Sequence, residues 1–251
     1  MLLQRICQTL AIHFRRVKDL SSEYGIWHGI RYSIRKVFYY VTYPAGYCYR
    51  LLFPLHKEFL FQGKTHPYFF HRYNMTWRNE RAIEIAIVWE MVGTSSGKRI
   101  LEVGNVLSHY FPTRHDVVDK YENAPGLLAQ DIVDYRPSEP YDLIISISTL
   151  EHVGWDERPR DPTKILRAFE NMKTFLAPNG KMVVTVPIGY NRELDRLLAE
   201  GKIRFSKRYF MKRVSRDNQW VETDWTDVQN SRFDDPYYSA NAVVIGIVEK
   251  E

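Results

Sequence analysis

At 251 residues, with 45% hydrophobic and 26% charged residues, the chain can build a sizeable core and is not of the disordered class. Cys7 and Cys48 have neither metal-ligand nor redox spacing and are too few for a disulfide framework, which points to a reducing, cytoplasmic compartment. The net charge of +5 is gathered at the front. Residues 1–60 carry nine Lys/Arg against three acids, 9 − 3 = +6, which leaves 26 − 27 = −1 for the rest and no broad basic footprint for nucleic acid.

Leu3, Ile6, Leu10, Phe14 and Val17 recur at spacings of three and four, which predicts an amphipathic helix within Met1 to Leu20. Arg5 interrupts this stretch and no small-residue cleavage site follows it, so it does not read as a signal peptide. A second helix is predicted from Ile26, Ile30, Ile34, Val37, Phe38 and Val41, with Arg31 and Arg35 one turn apart. The uncharged run from Val37 to Tyr49 is tyrosine-rich and broken by Pro44, and it falls short of the ~20 apolar residues that a spanning helix needs. Two readings stand for residues 1–60. Their helices pack on the main domain or on a second copy in a homo-oligomer, or they lie peripherally on an anionic membrane surface.

Phe59 to Trp77 is dense in aromatic and histidine residues, and Asn79 is placed to cap a helix through Ile83, Ile87 and Met91 that ends at Gly93. The expected division is a helical, basic and aromatic extension over residues 1–78 and an α/β domain over residues 79–251.

From Lys98 onward, strand-like and helix-like segments alternate. Ile100-Leu101 runs into Glu102 and the Gly104 turn; Val117-Val118 ends on Asp119; residues 126–129 lead to Asp131-Ile132; Leu143 to Ser148 is a continuous apolar run ending at Glu151-His152. Asp161-Pro162 opens a helix carrying Ile165, Phe169, Met172 and Leu176, and strands follow over Met182 to Val186 and Ala242 to Val248. Such alternation implies a Rossmann-like, mostly parallel sheet with helices on both faces. In open α/β sheets the ligand crevice lies outside the carboxyl ends of the strands, so Glu102 and the Gly104 turn should line it.

The order of these motifs resembles that of the class I S-adenosylmethionine-dependent methyltransferases over about residues 83–251. Leu101-Glu-Val-Gly104 is similar to the family's first motif. The resemblance implies that Glu102 and Gly104 hold the methionine part of the cofactor, that Asp119 binds the ribose hydroxyls, and that Asp131-Ile132 meets the adenine. It places Ser148, at the end of the fourth strand, among the cofactor contacts. Leu176-Ala-Pro-Asn-Gly180 resembles the turn before the family's fifth strand, and insertions near the chain end, here residues 201–225, often cover the acceptor.

The first motif usually has three alternate glycines, whereas this chain has Gly104, Val106 and Ser108. A β-branched valine is disfavoured at positive φ, so the loop is expected to follow its own path or to turn Val106 away. Glu102 and Asp119 are only 119 − 102 = 17 positions apart, so the helix after the first strand should be short or replaced by a loop, with His109, Arg114 or backbone amides taking over its anion-binding role. The same spacing fails the G-x-G-x-x-G fingerprint of nicotinamide enzymes, and no C-x-x-C or H-E-x-x-H occurs, so no metal site is expected.

The candidate catalytic residues Glu151, His152 and Tyr190 follow the fourth and fifth strands. His152 reads either as a general base or as a histidine that ties down its own loop. Trp155, Arg158 and Arg160 offer a polar, aromatic surface to a small or glycan-like acceptor, or else Arg158 and Arg160 only pair with Asp156 and Glu157. The sequence therefore supports a methyltransferase acting on oxygen or nitrogen of such an acceptor, free or lipid-linked. The alternative is a non-catalytic protein of the same fold that binds a partner or a membrane.

Overall fold

A computed structural model describes residues 13, 14, 16–22, 25–52 and 57–251. The chain divides into two units, Met1–Leu55 and His56–Glu251.

In the first unit, residues 13, 14 and 16–22 are helical, so most of the helix expected over Met1 to Leu20 lies outside the described residues. Helices α1 (Ile26–Val41) and α2 (Tyr43–Leu52) follow. Pro44 is the second residue of α2, where the amide it lacks would have no intrahelical partner. Gly29, Tyr32 and Tyr39 are the buried residues of α1, whereas the stripe of Ile26, Ile30, Ile34, Val37, Phe38 and Val41 is exposed. Among the described residues, no helix is long and apolar enough to cross a membrane.

The second unit begins before the expected 78/79 boundary. Residues 57–78 form a hairpin, β1 (Glu58–Phe61) with β2 (Lys64–Pro67), and a 3-10 turn at Tyr73–Arg78, rather than a helical extension. Alternation in β1 buries Phe59 and Phe61 in the same apolar cluster as Ile83, Ile85 and Ile87 of α3 (Arg81–Gly93). Asn79 acts at the start of α3 as expected, its Oδ1 accepting from the Arg81 amide at 3.0 Å.

One eight-stranded sheet organises the rest, in the order β5 (Leu127–Ala129), β4 (Asp116–Asp119), β3 (Ile100–Val103), β6 (Tyr141–Ile147), β7 (Leu176–Pro187), β10 (Ala242–Glu249), β8 (Lys207–Arg213), β9 (Trp220–Thr223). The pairings from β5 to β7 are parallel and those from β7 to β9 antiparallel. Successive strand residues feed two cores. Leu101, Ile144, Val184 and Val244 pack with Ile165 and Phe169 of α4 (Lys164–Thr174) and Leu194 and Leu197 of α5 (Arg192–Ala199). Ile100, Ile145, Val183 and Ile245 pack with α3 and the hairpin. Both faces are covered, and for that reason β6 and β10 read as unbroken apolar runs. Gly246 lies in the interior of β10 because a Cβ there would overlap the Phe205 ring, which itself packs edge to face on Phe169 with centroids 5.3 Å apart.

The segment expected to cover the acceptor, residues 201–225, supplies β8 and β9 at one edge of this sheet. From β3 the chain moves outward to β4 and β5, then crosses back to place β6 on the other side of β3. The reversal puts a topological switch point at the carboxyl ends of β3 and β6, where open α/β sheets bind their ligands.

Candidate functional site

The loop after β3 is built around Glu102. This carboxylate does not line a crevice as expected but is fully buried under the loop. Oε1 accepts from the amides of Val106 at 2.9 Å and Leu107 at 2.8 Å, and Oε2 meets His115 Nε2 at 2.7 Å. Both oxygens thus help to shape the turn, and it is full burial, rather than the number of donors, that keeps this carboxylate from a ligand. Val106 sits at φ −109°, so the position needs no glycine, and the expected helix is a single 3-10 turn, Leu107–His109. Gly104 is the one position of this loop at positive φ, 86°, and a Cβ on it would come within 2.6 Å of Thr149 Cγ2 and closer still to its Oγ1. The ends of β3 and β6 therefore approach as closely as glycine allows. Gly104→Ala is expected to lower stability by about 3 kcal/mol through backbone strain and overpacking, with part regained in the double variant with Thr149→Ala. Chemical denaturation of the two variants checks this, and a neutral Gly104→Ala would contradict the packing account.

Asp119 ends β4. Its Oδ1 accepts from the amides of Tyr121 at 2.7 Å and Glu122 at 2.8 Å, and its Oδ2 from the Asn105 amide at 3.1 Å. A carboxylate offers about four acceptor sites, so Asp119 keeps capacity for one further donor on Oδ2. Asn105 in turn donates to Glu122 Oε2 at 2.6 Å, which ties the turns after β3 and β4 together.

The adenine pair is engaged elsewhere. Asp131 Oδ2 receives Lys164 Nζ at 2.6 Å and Lys120 Nζ at 3.0 Å, and the same two ammonium groups reach Glu157 at 2.6 and 2.9 Å. Burial works against ionisation of Asp131, but hydrogen bonds from Lys164 and Lys120 hold its pKa below the usual carboxylate value. The Ile132 side chain is buried in the core with Phe169 and Met172. Ser148, at φ 39°, turns its hydroxyl inward and donates to Glu84 Oε1 at 2.6 Å.

The three candidate catalytic residues do come together. Glu151 and His152 lie in a 3-10 turn just after β6, and Tyr190 follows β7. His152 Nδ1 is 2.6 Å from Asp156 Oδ2, the Tyr190 hydroxyl donates to that same oxygen at 2.7 Å, and the Tyr190 ring stands edge-on to the imidazole at 4.8 Å. With Nδ1 donating to Asp156, the neutral ring keeps its lone pair on Nε2, which lies 3.5 Å from Glu151 Oε1. Glu151 is buried and its Oε2 has no hydrogen-bond partner among the described residues. Desolvation pushes its pKa up to about 7, against the pull of His152 and Arg81. Desolvation alone would depress the pKa of His152, but Glu151 and Asp156 outweigh it and raise it. Asn191 locks the two turns together, donating to the Glu151 carbonyl at 2.8 Å while its Oδ1 caps α5 through the amides of Glu193 and Leu194.

Sequence reading missed what lies beneath. Arg81 Nη1 donates to Glu84 Oε2 at 2.9 Å and to the Ile147 carbonyl at 3.1 Å, and Thr185 Oγ1 donates to Glu84 Oε1 at 2.7 Å. The signal was present as Glu84 inside Ala-Ile-Glu-Ile-Ala-Ile-Val, because a carboxylate in a helix apolar on all sides has to be buried and paired. Among the described residues, no group of His, Cys, Asp and Glu is arranged to hold a metal ion.

The sequence matches no protein-family model and no curated protein. It is similar to several solved structures. N-methyltransferase NodS from Bradyrhizobium japonicum WM9, in complex with S-adenosyl-L-homocysteine, is 15% identical with a TM-score of 0.44, over 68% of this chain and 87% of that chain. TehB from Haemophilus influenzae is 14% identical with a TM-score of 0.37, over 66% of this chain and 62% of its own. CalS10, an amino pentose methyltransferase from Micromonospora echinaspora with S-adenosylmethionine bound, is 20% identical with a TM-score of 0.31, over 46% of this chain and 56% of its own. The α/β assignment stands on strand order and register, independently of these likenesses.

Proposed function

We propose that this protein is an S-adenosylmethionine-dependent methyltransferase acting on an oxygen or nitrogen of a small or glycan-like acceptor. The observation that carries the reading is the switch point between β3 and β6, with the Gly104 turn and Asp119 on one side of it and Glu151, His152 and Tyr190 on the other.

The cofactor fits part of what the sequence suggested. Asp119, with acceptor capacity left on Oδ2, would take a ribose hydroxyl, and the Gly104-Asn105 turn would lie against the methionine part. Glu102, Asp131 and Ser148 are committed to internal partners, so their roles are to shape the loop, pin the β5 edge and anchor α3. S-adenosylmethionine, when bound, supplies an electrophilic methyl group on its sulfonium. This chain's part is then alignment and proton removal. His152 Nε2 is the base, Asp156 orients the ring, Tyr190 fixes Asp156, and Glu151 stabilises the imidazolium once the proton has moved.

A lipid-linked acceptor is the form of this reading that gives residues 1–60 a role at a membrane surface. A second reading, a non-catalytic protein of the same fold, draws on the closeness of Thr149 to Gly104 and on the internal pairing of Glu102 and Asp131. Calorimetric titration of S-adenosylmethionine separates the two. The wild type is expected to bind and Asp119→Ala to lose about tenfold or more in affinity, the worth of one charge-assisted hydrogen bond. A folded wild type that takes up no cofactor would leave only the second reading.

A further inference from the structure

The Glu151 carboxylate is incomplete as it stands. The residue is 2% exposed and its Oε2 meets no donor among the described residues, while its Oε1 faces His152 Nε2 at 3.5 Å. A buried polar atom in that state points to a ligand, an ion or a water that completes it. The imidazole beside it is held from behind, Nδ1 lying on Asp156 at 2.6 Å, so in its neutral form Nε2 presents a lone pair toward the same carboxylate. Two acceptors on adjacent residues thus lie together. A proton shared between them fills the gap at Oε1 and leaves Oε2 as it was. Arg81 acts on Glu151 through space only, since its guanidinium is hydrogen-bonded to Glu84 and to the Ile147 carbonyl. The imidazole is half-exposed, which opens this place to a ligand.

Counting hydrogens selects what fits. A hydroxyl acceptor brings one, which Nε2 takes as base, and Oε2 stays unmet. A protonated primary or secondary amine brings at least two on a single atom. Its charge also answers the desolvated carboxylate, because a buried charge is costly unless an opposite charge and a hydrogen bond accompany it. We propose that the methyl acceptor is a primary or secondary amine, bound as its ammonium ion with one N–H on Glu151 Oε2 and another on His152 Nε2. The inference rests on the methyltransferase reading and narrows its acceptor atom to nitrogen. Nε2 removes one proton, and the pair freed on nitrogen forms the new N–C bond as the methyl carbon's bond to the sulfonium sulfur breaks and leaves its pair on sulfur. The product is again an ammonium, held by a remaining N–H on Oε2. A tertiary ammonium has a single N–H and cannot meet both acceptors, so transfer ends at the tertiary amine.

NMR titration of the full chain, following the His152 imidazole, tests this at about pH 8, where Glu151 is ionised and an alkylamine still carries its proton. The probes are matched in shape: cyclohexylamine, cyclohexanol and N,N-dimethylcyclohexylamine, each with and without S-adenosylhomocysteine. Cyclohexylamine is expected to bind about tenfold or more tighter than cyclohexanol, the worth of a charge-assisted hydrogen bond, and about fivefold tighter than the dimethyl compound, which keeps the charge but one N–H. Glu151→Gln should bring the amine down to the level of the alcohol, with a thermal transition no lower than that of the wild type to show that the fold has survived. An alcohol that binds as tightly as the amine, or an amine preference that outlasts Glu151→Gln, overturns the proposal and leaves a buried water on Oε2. Equal binding of the amine and its dimethyl derivative, or no response to any of the three, overturns it as well. The two readings fail separately. Amine binding through Glu151 in a protein that takes up no S-adenosylhomocysteine keeps the amine site and removes methyl transfer, whereas cofactor uptake without amine preference removes the amine site alone.

Discussion

Replacing Arg81 by methionine is expected to cost about 3–5 kcal/mol of folding stability near neutral pH, the penalty for removing one partner of a buried ion pair. The side chain is 13% exposed and lies beside the fully buried Glu84. Burial would depress its pKa, but Glu84, Glu80, Glu151 and Tyr110 outweigh that and raise it. Methionine keeps much of the length and apolar stem, so the loss isolates the charge. The sign of the pH dependence follows from the neighbours. Burial raises the pKa of Glu80 and of Glu151 above the ordinary carboxylate value. Such groups bind more protons in the folded than in the unfolded chain, so their ionisation weakens folding as pH rises through that window. Without Arg81 the window widens, and the variant's deficit should be larger at about pH 8 than at about pH 5. Urea denaturation at both values checks this. An equal deficit at both would assign the role of Arg81 to its hydrogen bond with the Ile147 carbonyl instead.

The second large effect is at Glu151. Burial pushes its pKa from 4.5 up to about 7, which weakens folding by about 3 kcal/mol once the group is charged. Glu151→Gln is therefore expected to stabilise the protein by up to about 3 kcal/mol at about pH 8 and to have little effect below about pH 4.5, where the carboxyl is protonated in both states. On the proposed function, the same change should lower methyl transfer about 10²- to 10⁴-fold, because the imidazolium of His152 loses its buried counter-charge. Asp195 is the control. Burial pushes it up to about 7 as well, while both its oxygens accept from the Gly189 amide at 3.1–3.2 Å and not from His152. Asp195→Asn should share the gain in stability and leave the His152 titration, read by NMR, where it was. If Glu151→Gln also leaves that titration unmoved, the two residues do not act together.

These effects sit on a frame that the sequence announced unevenly. Strands β3, β6, β7 and β10 were legible because burial on both faces makes a continuous apolar run. The hairpin and β8 were not, since Lys64-Thr-His-Pro67 is polar and ends on a proline, and Lys207-Arg-Tyr-Phe-Met-Lys-Arg213 has charges at both ends and little alternation. In the site, the ordering of acids along the chain located Asp119 and Glu151 at the strand ends, but not what each acid does there. The difference between Asp119, which accepts only from backbone amides, and Asp131, held by Lys120 and Lys164, is set by side chains 11 and 33 positions from Asp131 in sequence. Spacing rules cannot see such pairings. His115 under Glu102 is a further case, reached only after the loop has folded back.

The Asn191 side chain holds the turn after β6 by the Glu151 carbonyl and the start of α5 by two amides. The two loops that flank the site are therefore one mechanical part, with this amide as one rivet and the bond from Tyr190 to Asp156 as another. A descendant of this chain could not lengthen either loop by a residue without pulling His152 away from Tyr190. Variation in substrate would have to enter through side chains, or through the loops after β4 and β5, which are not fastened by those rivets.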